Sequence, residues 1–186
     1  IVHRLDKDTS GVVVLAKTPE SLQFLLKQFK ERRPKKEYVT LVFGRLGEKK
    51  GRITRELARS KRNPMRRAVV NKGKDAITEW QLEEKLGEFS LLRVWPLTGR
   101  MHQIRVHMHW LGFPIVGDAL YTIRHKRPPA GTKRQLLHAE KLTVKLLNGA
   151  VKMFTAPLPE DFAEVLKNLR NPSHPPFKKG GVNAGG

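Results

Sequence analysis

Two short stretches hold the residue types that could do chemistry. The first is His3-Arg4-Leu5-Asp6-Lys7-Asp8-Thr9-Ser10-Gly11. A carboxylate flanked by Arg4 and Lys7, in a turn ahead of a β-branched run, can act as nucleophile or base, because nearby cations favour its ionised form and hold it in place. A turn whose Asp and Ser cap backbone amides accounts for the same residues without any reaction. The second stretch is Thr98-Gly99-Arg100-Met101-His102-Gln103-Ile104-Arg105-Val106-His107, with His109 two residues on. On a helix His102, Arg105 and His109 fall on one side, where Arg105 could meet a carboxylate or a phosphate.

Other reactive types offer less. His102, His107 and His109 lack the spacing of a two-histidine zinc helix and have no acidic ligand close by, so no metal is expected. Ser10 and Ser90 have no nucleophile-elbow context. Trp80, Trp95 and Trp110 could stack on bases, but each lies in a patterned apolar segment and reads as core. The chain has no cysteine, which removes disulfides, thiolate nucleophiles and cysteine-ligated metals.

The elements that must position these residues follow from apolar spacing. Val12 to Lys17 reads as a buried strand. Thr18 and Pro19 then open an amphipathic helix carrying Leu22, Leu25, Leu26 and Phe29. Glu37 to Leu46 alternates, with apolar residues on both sides, and predicts a strand covered on both faces. Ala76 to Leu86 and Phe89 to Leu97 read as two strands joined at Gly87, with Trp80, Leu82, Leu92 and Val94 inward. Met101, Ile104, Met108 and Leu111 predict a helix capped by Thr98 and stopped at Gly112. Leu142 to Leu147 and Val151 to Phe154 flank the turn signal Asn148-Gly149. A last helix is expected from about Pro159 to Leu169. The composition from 171 to 186 reads as a disordered basic tail. Strands joined by tight turns favour an α+β fold with a mixed, largely antiparallel sheet and flanking helices.

Charge then narrows the partner. Thirty-seven Lys and Arg oppose 17 Asp and Glu in 186 residues, a formal charge of +20. Twelve of the thirty residues from Arg45 to Lys74 are basic, and Arg124 to Arg134 is a second basic stretch; both are expected to be solvated loops. Such an excess points to a polyanion, nucleic acid first. No apolar run approaches the roughly 18 residues of a membrane span. A monomer in a reducing, cytoplasmic compartment fits these features.

The two stretches, in this order and spacing, resemble the RluA-type pseudouridine synthases. The likeness continues through Lys36-Glu37-Tyr38-Val39, Gly112-x-Pro114-Ile115-x-Gly117-Asp118, Tyr121 and Leu137-His138-Ala139. It implies that residues 1–170 form a catalytic domain with a central RNA-binding cleft, which isomerises uridine to pseudouridine without cofactor or metal. By similarity Asp6 is the catalytic carboxylate, Arg105 its ion-pair partner, and Tyr38 the ring beneath the base and a candidate base for the last proton. Arg4 would enter the RNA stack and Leu137 line the pocket, with Arg100, His102 and Gln103 also against RNA. Large-subunit ribosomal RNA is the expected substrate. Transfer RNA, or a non-catalytic RNA-binding domain of the same fold, are the alternatives. Met101 stands where the family usually has Thr, and its place on the expected apolar stripe predicts tolerance. The family also has a strand before its first motif, so a chain opening at Ile1 is expected to be one strand short.

Overall fold

The computed structural model describes residues 1–123 and 125–171 of the chain. In chain order the elements are β1 (Ser10–Gly11), α1 (Pro19–Lys30), β2 (Lys35–Phe43), β3 (Lys50–Thr54), β4 (Glu56–Arg59), β5 (Arg67–Val70), β6 (Ile77–Leu86), β7 (Phe89–Pro96), α2 (Gln103–Trp110), β8 (Leu137–Lys145), β9 (Val151–Thr155) and α3 (Glu160–Arg170). A seven-stranded sheet runs β1-β8-β2-β7-β6-β3, with β9 also on β8, while β4 and β5 form a separate hairpin. The β1 to β8 pairing is parallel and the other pairings antiparallel. The fold is thus α+β with a mixed, largely antiparallel sheet.

The alternation along β2 places its two sets of side chains on different layers. Val39, Leu41 and Phe43 join Phe162, Val165 and Leu166 of α3 in one core. Tyr38 and Val42 face the other way, toward Ile104 and Met108 of α2, with Trp80, Leu92 and Val94. Covering on both sides leaves Val39 to Phe43 buried without interruption, as the sequence predicts. A third cluster sets Leu22, Leu25 and Phe29 of α1 on Leu142 and Val144 of β8. The Thr18 cap forms as expected, its hydroxyl accepting from Ser21 N at 3.2 Å.

Four expectations are corrected. Val12 to Lys17 is not a buried strand: Val12 N donates to Ala139 O at 2.9 Å, after which the segment has no strand pairing, and Val13 and Leu15 are exposed while Val12, Val14 and Ala16 pack inward. The basic stretch from 45 to 74 is not a plain loop. It contains β3, β4 and β5, whose inward residues Ile53 and Leu57 are too widely spaced to announce themselves in a Lys/Arg-rich run. The helix expected from Met101 begins at Gln103, and Met101 is exposed with its sulfur accepting from Arg67 Nη2 at 3.1 Å. Trp110 also lies exposed, beneath the Arg55 guanidinium at 4.7 Å.

No helix among the described residues is long and apolar enough to cross a membrane. From residue 172 on, the expected tail falls outside the described residues.

Candidate active site

The loop that carries Asp6 is fastened to one side of the sheet. Thr9 N donates to Asp6 O at 3.0 Å to close a turn. Gln135 Nε2 donates to Lys7 O at 2.6 Å and to Thr9 Oγ1 at 3.1 Å, and Arg134 Nη1 donates to Asp8 O at 3.1 Å. Ser10 Oγ lies 2.9 Å from His138 Nδ1, so Ser10 is a structural group here. Gly11 completes the dock: its φ is +128°, and a Cβ would sit 2.2 Å from Ala139 O. No side chain fits at that position.

Across the cleft, α2 supplies Arg105. The helix opens on His102, whose backbone is left-handed at φ 56° and whose Nδ1 lies 3.0 Å from the Tyr121 hydroxyl. Thr98 does not cap the helix. Its hydroxyl accepts from Ile77 N and donates to Gln103 Oε1 at 2.6 Å, and Gln103 also accepts from Arg100 N while its Nε2 donates to Ile77 O and Thr78 Oγ1. The Gln103 amide is therefore occupied on both ends by the protein. Nor does α2 have a solvated polar face: Gln103 to Met108 are all buried, between the sheet and the β4–β5 hairpin.

Asp6 and Arg105 meet as expected, with Arg105 Nη1 3.5 Å from Asp6 Oδ2. The tighter partner is Asp118, a residue the sequence had offered within a matched motif without assigning it a role. Arg105 Nε and Nη2 donate to Asp118 Oδ2 and Oδ1 at 2.7 and 2.9 Å. Burial acts to raise the Asp118 pKa, but Arg105 and the Tyr121 and Leu120 amides hold it below the usual carboxylate range. The same pairing outweighs burial in Arg105 and fixes its charge.

Tyr38, Leu137, Arg4, Arg100, His102 and Gln103 line the same cleft as Asp6 and Arg105, a space of about 450 Å³. Leu137 is buried on β8, whereas Arg4 is exposed at the mouth. Burial, then the Asp6 charge, push the Tyr38 phenol up to about 12. Burial also lowers the His102 pKa, favouring a neutral ring. His3 is spoken for: its Nε2 accepts from Val14 N at 3.1 Å and its ring stacks on Phe29 at 4.8 Å. The arrangement is a carboxylate held loosely by a firmly anchored guanidinium, beside an aromatic ring, in a basic cleft.

A family profile described as RNA pseudouridylate synthase matches residues 1–110. The chain belongs to the RNA pseudouridylate synthase family. It is 45% identical over 172 residues to a Chloroflexus aurantiacus protein named as an uncharacterized RNA pseudouridine synthase, covering 92% of this chain and 54% of the relative. It is 42% identical to the ribosomal large subunit pseudouridine synthase D of Borreliella burgdorferi, covering 91% of this chain and 52% of that protein. The chain thus spans about half the length of the curated relatives it matches. Among solved structures, human RNA pseudouridylate synthase domain containing 1 aligns with a TM-score of 0.75 at 27% identity, over 91% of this chain and 79% of that one. The pseudouridylate synthase profile stops at 110, before Asp118, Tyr121 and Leu137, whereas the likeness to the Chloroflexus aurantiacus protein runs over 172 residues.

Proposed function

We propose that residues 1–170 form a catalytic domain that isomerises uridine to pseudouridine in RNA, with Asp6 as the catalytic carboxylate. The observation that carries this is the Asp6–Arg105 contact beside Tyr38 at the base of a cationic cleft. The reaction breaks the bond from uracil N1 to ribose carbon 1, turns the base while it stays bound, and forms the bond from C5 to carbon 1. The C5 proton leaves and N1 gains one, so nothing is oxidised or reduced. Asp6 can open the sequence by attacking carbon 1 or by taking the carbon 2 proton to give a glycal.

Each surrounding residue then has a task. Tyr38 lies under the uracil and, with its phenol held protonated at neutral pH, donates a hydrogen bond; the last proton is better accepted by the freed Asp6 carboxylate than by a scarce tyrosinate. Arg105 offsets the cost of holding Asp6 charged in a pocket emptied of water. Arg4, at the mouth, fills the stack that the flipped uridine leaves, recovering part of the few kcal/mol of unstacking. Leu137 packs against the base. Arg100 and His102 border the entering nucleotide, and Gln103 fixes the loop that carries them.

Large-subunit ribosomal RNA is the proposed substrate, supported by the names of relatives such as the Borreliella burgdorferi synthase. The test incubates the protein with unmodified ribosomal RNA and maps carbodiimide-induced reverse-transcription stops. New stops at defined uridines are expected. Their absence on both ribosomal and transfer RNA overturns the reading.

A further inference from the structure

Lys36 has no task in the chemistry above, yet it is set into the wall of the same cleft. It precedes Tyr38 by two residues on one face of β2, about 7 Å along the strand. Its Nζ donates to Thr98 O at 3.0 Å, which leaves two of its three N–H groups to point elsewhere. Among the described residues no carboxylate pairs with Lys36, nor with Arg32, Arg4 or Arg100, which line the cleft with it; Asp6 is the one acidic group on those walls. Arg32, in a left-handed turn after α1 at φ 59°, lines the same cleft, and its charge acts against that of Lys36. Two cations kept together without an acid are unfavourable until an anion arrives. We propose that Lys36 and Arg32 form a phosphate-binding subsite that holds a backbone phosphodiester beside the uridine entering the cleft. The proposal rests on RNA being the occupant of the cleft. Burial, then Arg32, lower the Lys36 pKa to about 8.

The titratable and charged groups that line the cleft with Lys36 are Arg32 from the turn after α1, His3, Arg4 and Asp6 from the first segment, Tyr38 on β2, Arg100 from the loop before α2, and His102 and Arg105 from α2 and its cap. Burial and the Lys36 charge push His3 below 6.5, and Tyr38 is pushed up to about 12, so neither titrates near pH 8.

The test is fluorescence anisotropy with a labelled oligouridylate, with inorganic phosphate in excess as a competitor. At neutral pH, Lys36→Met should bind about tenfold more weakly and flatten the log affinity against log salt plot by about 0.7, while Lys36→Arg stays within about twofold of the wild type. Wild-type affinity should fall as pH rises through about 8, where the ammonium is lost, and Lys36→Arg should not follow it. Phosphate should compete better against the wild type than against Lys36→Met. Free Lys36→Met gives up the bond to Thr98 O and the repulsion by Arg32 together, so its melting temperature should stay near that of the wild type; a large drop marks a structural lysine and overturns the subsite. Unchanged affinity and salt slope in Lys36→Met, or the same alkaline loss in Lys36→Arg, overturns the subsite. Loss of the subsite leaves pseudouridine formation standing. Absence of pseudouridine with these binding results intact overturns the catalytic reading instead.

Discussion

Arg105 serves two carboxylates unequally, and the inequality suits the proposed reaction. Asp118 takes it in a bidentate grip, so the guanidinium cannot swing, while Asp6 is met by a single longer contact. A carboxylate held that lightly can leave its partner to reach ribose carbon 1. Asp6→Asn should therefore bind RNA like the wild type and give no pseudouridine; substantial product from it removes Asp6 from its role. Asp118→Ala leaves the buried guanidinium only its longer contact to Asp6, which costs up to about 3–5 kcal/mol, the figure for removing one partner of a buried pair. Calorimetric melting should show that loss, and single-turnover rates should fall far more than RNA affinity. That Asp6 and Arg105 could face each other was legible because each sits in a dense motif of chemically capable residues, whereas Tyr38, inside an alternating strand, was offered only by the family resemblance. Asp118 was not legible, since its work depends on a pairing that spacing along the chain does not display. His102 misled for a related reason: a helical period cannot reveal that one non-glycine residue takes a left-handed turn and starts the helix late.

The elements explain how such contacts survive in a mobile chain. The Asp6 loop enters the sheet through only two paired residues, Ser10 with His138 and Gly11 with Ala139. β8 divides one of its sides between this short parallel strand and β9, an arrangement that periodicity in residues 12–17 could not foretell. Gly11→Ala should cost at least about 1–3 kcal/mol in backbone strain alone. The clash with Ala139 O adds to that, and turnover should drop as Asp6 shifts from Arg105. On α2, His107 is wholly buried, with Nδ1 2.8 Å from Thr78 Oγ1 and Nε2 3.4 Å from Arg55 O. Burial pushes its pKa down to about 4. The folded state then prefers the neutral ring, while the unfolded chain takes up a proton below about 6.5. This contribution is complete above pH 6.5 and is lost as pH falls toward 4, by about 3 kcal/mol in all. His3, His102, His109 and His138 are lowered as well and add in the same direction. Denaturant melts across that range should show the loss, and His107→Gln should flatten it.

At the scale of the molecule, +20 is not a uniform coat of charge. Arg93 is drawn to Glu37, Glu83 and Glu140 on the sheet, Arg134 to Asp161 at the start of α3, and Arg170 to Glu84, so these cations are already answered within the fold. Lys61 and Arg62, in the turn of the β4–β5 hairpin, are exposed and make no ion pair among the described residues. That hairpin packs on α2 and Tyr121 through Leu57, Val69 and Val106, which places its basic tip on the same body as the helix that carries Arg105. Counterion release distinguishes the two kinds of cation, because only a charge that reaches phosphate changes the salt dependence of binding. Lys61→Ala and Arg62→Ala should each flatten the plot of log affinity against log salt by about 0.7 on single-stranded RNA. Turnover at saturating RNA should hold. Arg93→Met should do the opposite, lowering the melting temperature by exposing three carboxylates to one another while the salt slope stays put. Equal slopes in all three variants would mean that the excess charge acts as a diffuse field rather than through contacts placed at the hairpin tip.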